Sequence, residues 1–419
     1  MIRKNYSSGA PLEEVAGYSR AVEFGPFVYV GGTTSVQPDG SVYGENDSYA
    51  QVKYVLEKQL SFVEKAGGCK EDVYQIKMYV TPDFDSKKGF DAYAEIFREV
   101  KPLCTAVTIT ALNRPAQLVE IEMNAVIGSS KGAVWEGISL ERTNYSSGSP
   151  LEDVLGYSRM VKIGPFVFVG GTTSVLPDGS VAGVEDAVAQ DNFILKKEVE
   201  MLAKAGAVPA DVIKTKMYQT PEYKKYNKGG ESYYAEVLKP VKPLCTAVTI
   251  EKLNRPAQLV ETEMMAIVGC GGDEILPEWG SFDFRRTNIS SGAPLEDSFG
   301  YSRIVKAGPF VFCGGTTSVQ PDGTVACEEN AAGQQSYVYE KLMKLIEPFG
   351  VKAEDVIKVK TYITPDFKKY NKPDEDSYYA RNFKPVKPLN TMVTIHRLNR
   401  PTQLAEIEMF AVQGCSLEK

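Results

Sequence analysis

Histidine is almost missing from this chain: His396 is the only one in 419 residues. A Ser-His-Asp triad, a Cys-His dyad or a histidine-rich metal centre therefore cannot occur three times over. The seven cysteines are an odd number, and no two are spaced Cys-x-x-Cys. That argues against a disulfide framework and against a zinc site, and it suits a reducing compartment. No apolar run approaches the ~20 residues of a membrane span. The opening Met1-Ile2-Arg3-Lys4-Asn5 lacks the apolar stretch of a signal peptide, so a cytoplasmic protein is expected. The formal charge of −7 comes with no basic run, which speaks against a nucleic-acid partner.

What is present is globular: 43% hydrophobic and 24% charged residues. The length suits about three domains, and internal repeats account for them. Gly-Tyr-Ser-Arg recurs at Gly17–Arg20, Gly156–Arg159 and Gly300–Arg303. Gly-Gly-Thr-Thr-Ser-Val begins at Gly31, Gly170 and Gly314, Val-Lys-Pro-Leu at Val100, Val241 and Val386, and Leu-Asn-Arg-Pro at Leu112, Leu253 and Leu398. These define domains over 1–128, 138–269 and 281–415, with Gly-rich linkers over 129–137 and 270–280. Each linker holds one of the two tryptophans, Trp135 or Trp279, as an anchor to the body.

Within the first repeat, Tyr18–Phe24 and Phe27–Gly32 read as paired strands around a Gly25-Pro26 turn. Ser48 and Gln51 suggest a capping box opening a helix that stops at Gly67-Gly68. Val73–Thr81 follows as a strand and Asp85–Glu99 as a second helix, and Cys104–Ala111 and Gln117–Ile127 complete the unit as strands. The order β-β-α-β-α-β-β is that of an α+β layer, with helices on one face of a mixed sheet.

Period-two alternation describes the other face. Glu120 and Glu122 point one way along their strand, Tyr18 and Arg20 share a face, and Lys77 shares one with Tyr79. The pattern returns as Glu261 and Glu263, Tyr157 and Arg159, Lys216 and Tyr218, and again as Glu406 and Glu408, Tyr301 and Arg303, Lys360 and Tyr362. Buried carboxylates need partners. Three polar faces closed around an axis would supply them, making one chain the equivalent of a homotrimer. Fusion leaves the three interfaces free to diverge.

The strand Gln117–Met123 and the opening Gly17–Thr34 resemble the reactive intermediate deaminase family (Rid, YjgF-like, L-PSP endoribonuclease-type), and the resemblance covers each repeat almost whole. It implies a chorismate-mutase-like fold, a trimer and small-metabolite clefts between repeats. It also implies cofactor-free hydrolysis of small enamines and imines. A glutamate positions water there, a tyrosine lines the cleft and an arginine binds the substrate carboxylate. The glutamate matches Glu120, Glu261 and Glu406, and the tyrosine Tyr18, Tyr157 and Tyr301. At the arginine's place stand Cys104, Cys245 and Asn390, followed by Thr105, Thr246 and Thr391.

Neither thiol nor amide replaces a guanidinium fork. Arg20, Arg159 and Arg303 are left either to supply a substitute charge or to pair with the sheet carboxylates. Glu120, Glu261 and Glu406 are either general bases or partners in those ion pairs. Two functional readings stay open: a deaminase-like hydrolase, and a protein that kept the fold to bind a metabolite or serve in an assembly. A nuclease role finds no support in a chain with one histidine. Gly31-Gly32 reads as a place of close backbone approach.

Overall fold

A computed structural model describes residues 1–372 and 374–417. In the first repeat Phe24 pairs with Phe27 across the Gly25-Pro26 turn, and Gly25 takes φ +56, a conformation that costs glycine nothing. Its strands are β1 (Ile2–Tyr6), β2 (Ala21–Phe24), β3 (Phe27–Thr33), β4 (Val73–Val80), β5 (Leu103–Thr108) and β6 (Val119–Val126). Its helices are α1 (Pro11–Ala16), α2 (Ser48–Lys65) and α3 (Ser86–Phe97). The sheet order is β1-β2-β3-β6-β4-β5, with only β4 and β5 parallel. Helices cover one face through an apolar core that includes Val55, Leu56, Phe62, Ile76 and Phe97. The other two repeats build six-stranded sheets of the same order. This is the α+β architecture expected, three times over.

The differences from the expected elements have local causes. Helix α2 is capped one residue earlier than the capping box suggests: the Asp47 carboxylate accepts from the N–H groups of Tyr49 and Ala50. Ser48 is turned instead to the start of α3, where its Oγ accepts from Asp85 N–H at 2.9 Å. Gln51 donates to Gly44 and Ala116 carbonyls and accepts from Leu118 N–H, tying α2 to the entrance of β6. Strand β2 starts after Arg20, and Ser19 just ahead of it is bridged to Leu389 of the third repeat. The second helix is continuous only in the first repeat. In the second it breaks into Tyr223–Tyr226 and Tyr233–Val237 around Gly229-Gly230.

The repeats close into a ring. Parallel bridges join Ser19 to Leu389, Ser158 to Leu103 and Ser302 to Leu244. The last strand, Ser416–Leu417, pairs in parallel with β1 and so returns the third repeat to the first. On the pseudo-threefold axis Phe27, Phe166 and Phe310 meet edge to face, with ring centroids 5.6, 5.6 and 5.8 Å apart. Trp279 is fully buried in the same cluster, its Nε1 donating to the Val268 carbonyl at 3.0 Å, while Trp135 packs on Phe27 and Phe282. Both tryptophans thus fasten connecting segments to the axial core.

The second carboxylate of each sheet pair, Glu122, Glu263 or Glu408, is ion-paired, and always across repeats. Lys77 Nζ lies 2.6 Å from Glu263, Lys216 pairs with Glu408, and Lys358 and Lys360 lie 2.7 and 3.5 Å from Glu122. Among the described residues no helix is long and apolar enough to cross a membrane. No group of three or more His, Cys, Asp or Glu among them could hold a metal ion.

Candidate functional site

Each interface between repeats carries one buried glutamate, Glu120, Glu261 or Glu406. Glu120 stands on β6 opposite Tyr79 in the register, two residues from the paired Glu122 and pointing to the same face. Its carboxylate lies against the backbone of Gly32 on β3: a Cβ added there would stand 2.0 Å from Glu120 Oε1. The same approach recurs at Gly171 with Glu261 and at Gly315 with Glu406, at 1.9 and 2.1 Å. This is the close backbone approach that the Gly-Gly pair predicts. Only glycine leaves room for the carboxylate.

Glu120, Glu261 and Glu406 are each 6% exposed, and among the described residues none makes a hydrogen bond or ion pair. The reading of these residues as ion-pair partners of the sheet arginines is therefore corrected. Burial in apolar surroundings disfavours the charged form. It pushes Glu120 up to about 7, with Lys360 and Arg20 opposing and Glu122 assisting. Glu261 is pushed to about 8 and Glu406 to about 7. A carboxyl so placed exchanges its proton near neutrality.

The neighbouring repeat supplies the opposite wall. Cys104 of the first repeat faces Glu261 of the second, and Cys245 of the second faces Glu406 of the third. Burial, with the nearby carboxyl, pushes Cys104 up to about 12; burial and Glu406 push Cys245 to about 11. Both stay thiols, poor as nucleophiles. Asn390 holds the equivalent place in the third cleft, and its Oδ1 is buried without a partner. Tyr18, Tyr157 and Tyr301 are half-buried at the rim.

The arginines are engaged, but not with sheet carboxylates. Arg20 Nε donates to Glu13 on α1 at 3.1 Å, Nη1 to the Gly32 carbonyl at 2.6 Å and Nη2 to Tyr18 Oη at 3.1 Å. Arg159 does the same with Glu152, Gly171 and Tyr157, and Arg303 with Glu296, Gly315 and Tyr301. The tyrosine ring and the glycine carbonyl flank the cleft glutamate, so the arginine frames it.

The threonines are interface staples. Thr391 Oγ1 accepts from Gly32 N–H at 2.8 Å and donates to Glu122 Oε1 at 2.7 Å. Thr105 joins Gly171 to Glu263, and Thr246 joins Gly315 to Glu408, in the same way. With the hydroxyl proton and one lone pair used, little is left for a ligand.

Sequence reasoning missed two groups. Tyr93, Tyr234 and Tyr379 enter the clefts from the second helical segment and donate to the carbonyls of Gly156, Gly300 and Gly17. Their signal was the recurring Tyr-Ala ahead of each Val-Lys-Pro-Leu. Glu13, Glu152 and Glu296 were announced by a repeated Ser-Ser-Gly-x-Pro-Leu-Glu, whose serines hydrogen-bond the glutamate. His396 lies elsewhere. It meets its own counterparts, with Glu251 Oε2 3.1 Å from both His396 Nδ1 and Thr110 Oγ1.

Against this geometry, comparison with known proteins is specific. The family model described as Endoribonuclease L-PSP matches three times, over residues 9–127, 149–268 and 293–413. A RutC family protein of Pyrococcus abyssi is 31% identical over 121 residues, 29% of this chain and 92% of its own length. An uncharacterized protein of Streptomyces coelicolor is 30% identical over 126 residues, 30% of this chain and 93% of that one. A solved structure from Mycobacterium tuberculosis, described as a member of the YjgF/YER057c/UK114 family, is 34% identical. It covers 30% of this chain and 99% of that one, with a TM-score of 0.27.

Proposed function

Because this chain belongs to the endoribonuclease L-PSP (YjgF/Rid) family, with three copies of its domain in one polypeptide, we propose that it hydrolyses small neutral imines and enamines at its inter-repeat clefts. The observation that carries this reading is the trio Glu120, Glu261 and Glu406: buried, unpaired and pushed up to between about 7 and 8. A general acid–base works best when its proton affinity matches the working pH. Ionised, the carboxylate takes a proton from water as the water oxygen adds to the imine carbon. The acid returns that proton to the imine nitrogen, giving the carbinolamine, and the carboxylate then carries the hydroxyl proton to the amino nitrogen as the C–N bond breaks and C=O forms, releasing ammonia and a carbonyl product. An enamine joins the path after tautomerising to the imine.

The engagement of the three arginines with carboxylates of their own repeats sets the substrate class. A carboxylate is held by a guanidinium fork or its equal. The positions where the resemblance puts that arginine carry Cys104, Cys245 and Asn390, and Arg20, Arg159 and Arg303 already bond Glu13, Glu152 and Glu296. Imines lacking a carboxylate therefore fit the clefts better than α-imino acids. The test is ammonia and carbonyl release by the whole chain from both classes, generated in situ. Neutral imines are turned over above the uncatalysed rate and α-imino acids are not; preference for α-imino acids would contradict the reading.

One observation favours a second reading, a metabolite binder without catalysis. The buried Asn390 Oδ1 lacks a donor, which a bound ligand could supply. Rate acceleration of neither imine class, together with saturable binding of a small amide or amine, supports it.

A further inference from the structure

A cavity of about 120 Å³ is lined by all three repeats, with Tyr79, Phe168, Phe312, Tyr362 and Phe410 among its walls. It is separate from the clefts: Glu120, Glu261 and Glu406 do not line it. Its volume is several times what one ordered water needs. Its charge does not balance. Lys77, Lys214, Lys216, Lys358 and Lys360 line it, against Glu122, Glu263 and Glu408. Two of the cations are in excess.

The excess has a clear origin. Lys214 and Lys358 occupy matching strand positions, and the first repeat carries Gln75 there. Gln75 accepts from Asn124 at 2.9 Å and needs no counter-ion. Lys77 and Lys216 each have a carboxylate of their own, while Lys358 and Lys360 share Glu122. Lys360 Nζ is buried, makes no hydrogen bond and hangs 3.6 Å over the Tyr79 ring. Lys214 has no ion-pair partner among the described residues and stands 5.8 Å from the Phe312 ring centre.

We propose that this axial cavity binds one small dianionic oxyanion of the sulfate or phosphate type per chain, held by Lys214, Lys358 and Lys360. Ammonium groups are compact point donors that turn freely, so several converging on one centre suit a tetrahedral anion. Two uncompensated charges match a dianion, and the volume excludes a nucleotide. A homotrimer would repeat one residue at all three positions; the fused chain departs from that with Gln75, giving a single unsymmetrical site. Proton affinities agree with a missing counter-ion. Burial lowers Lys214 to about 8, with Lys77 and Lys216 adding to the effect and Glu408 and Glu263 opposing it. Burial lowers Lys360 to about 7, with Lys358 and Lys216 assisting and Glu122 and Glu120 opposing. An anion raises both, so its binding takes up protons and tightens as pH falls from 8.5 to 6.5.

The test is calorimetric titration of the full chain with sulfate, whose own charge is constant over that range, at low ionic strength. Expected are one site per chain, at least fivefold tighter binding at pH 6.5 than at 8.5, and at least a tenfold loss in K214Q/K358Q, which installs the first repeat's glutamine at both positions. No binding, three sites per chain, or unchanged affinity in the double variant would overturn the proposal. Should that variant fold poorly, K214Q alone decides by thermal shift. It removes a cation with no carboxylate partner, so sulfate must raise its Tm less than that of the wild type; an equal rise contradicts the proposal.

Discussion

Arg20 Nε lies 3.1 Å from Glu13 Oε1, and the side chains of both are nearly sealed from solvent, 11% and 2% exposed. The pair holds the arginine against a carboxylate of its own repeat. It also gives the arginine a structural duty, since removing it leaves a buried carboxylate uncompensated. R20M, R159M or R303M is expected to cost about 3 kcal/mol each, the lower end for a broken buried pair because the serines still bond the glutamate. Chemical denaturation measures it, and substrate preference should be unmoved.

The cleft glutamates predict the opposite sign of pH dependence from an ordinary ion pair. Their folded proton affinities, about 7 to 8, lie above the unfolded carboxyl value of about 4.3. Between those limits the native state holds more protons than the unfolded state. Their contribution to stability is therefore fully present below about pH 4 and lost as pH rises through 7 to 8. E120Q/E261Q/E406Q should lose less stability than the wild type between pH 5 and pH 8, read from Tm at each pH.

Glu408 behaves conversely. Burial disfavours its charge, but Lys216 and Lys214 overcome this and hold it at about 2. Its contribution is present above about pH 4.3, the unfolded value, and is lost as pH falls toward 2. E408Q should therefore destabilise at pH 7 and make little difference near pH 2. Denaturant midpoints at the two pH values test this.

Thr105 predicts the strength of a repeat interface. Its hydroxyl accepts from Gly171 N–H at 2.9 Å and donates to Glu263 at 2.8 Å. T105V removes both bonds while keeping the shape and leaves a buried N–H unpaired, a loss of about 2–3 kcal/mol. Denaturant unfolding measures it, and the mean exposure of the neighbouring cleft should rise in hydrogen exchange.

Gly32 sets the position of the catalytic candidate. An added Cβ would meet Glu120 Oε1 at 2.0 Å and Thr391 Cγ2 at 2.6 Å. G32A is expected to displace the Glu120 carboxylate toward solvent and bring its proton affinity back toward an ordinary value. Carboxyl titration by NMR with selective labelling follows that shift directly.

Much of this fold is written in the sequence because repetition states it three times. Gly-Tyr-Ser-Arg, Gly-Gly-Thr-Thr and the closing Leu-x-Glu-x-Glu strand locate the hairpin and the central strand, and alternation in Glu120–Met123 separates helix face from axis. The glutamate and its glycine are legible for the same reason. Partners are not. Nothing local to Arg20 distinguishes Glu13 on a six-residue helix from Glu122 on the sheet, because the choice depends on how α1 folds over the cleft. The commitment of Thr391 to Gly32 likewise requires the third repeat to lie against the first, a contact across 359 positions. The convergence of Thr110, Glu251 and His396 has the same character: three unlike residues share one axial place because fusion lets each repeat vary alone.

The most direct test of the account is the pH–rate profile of neutral imine hydrolysis by the wild type and by E120Q/E261Q/E406Q. The account predicts wild-type kcat/KM rising with pH through a midpoint near 7 to 8, and a fall of at least a hundredfold in the folded triple variant. A variant that keeps the wild-type rate, or a profile flat across that range, would contradict it.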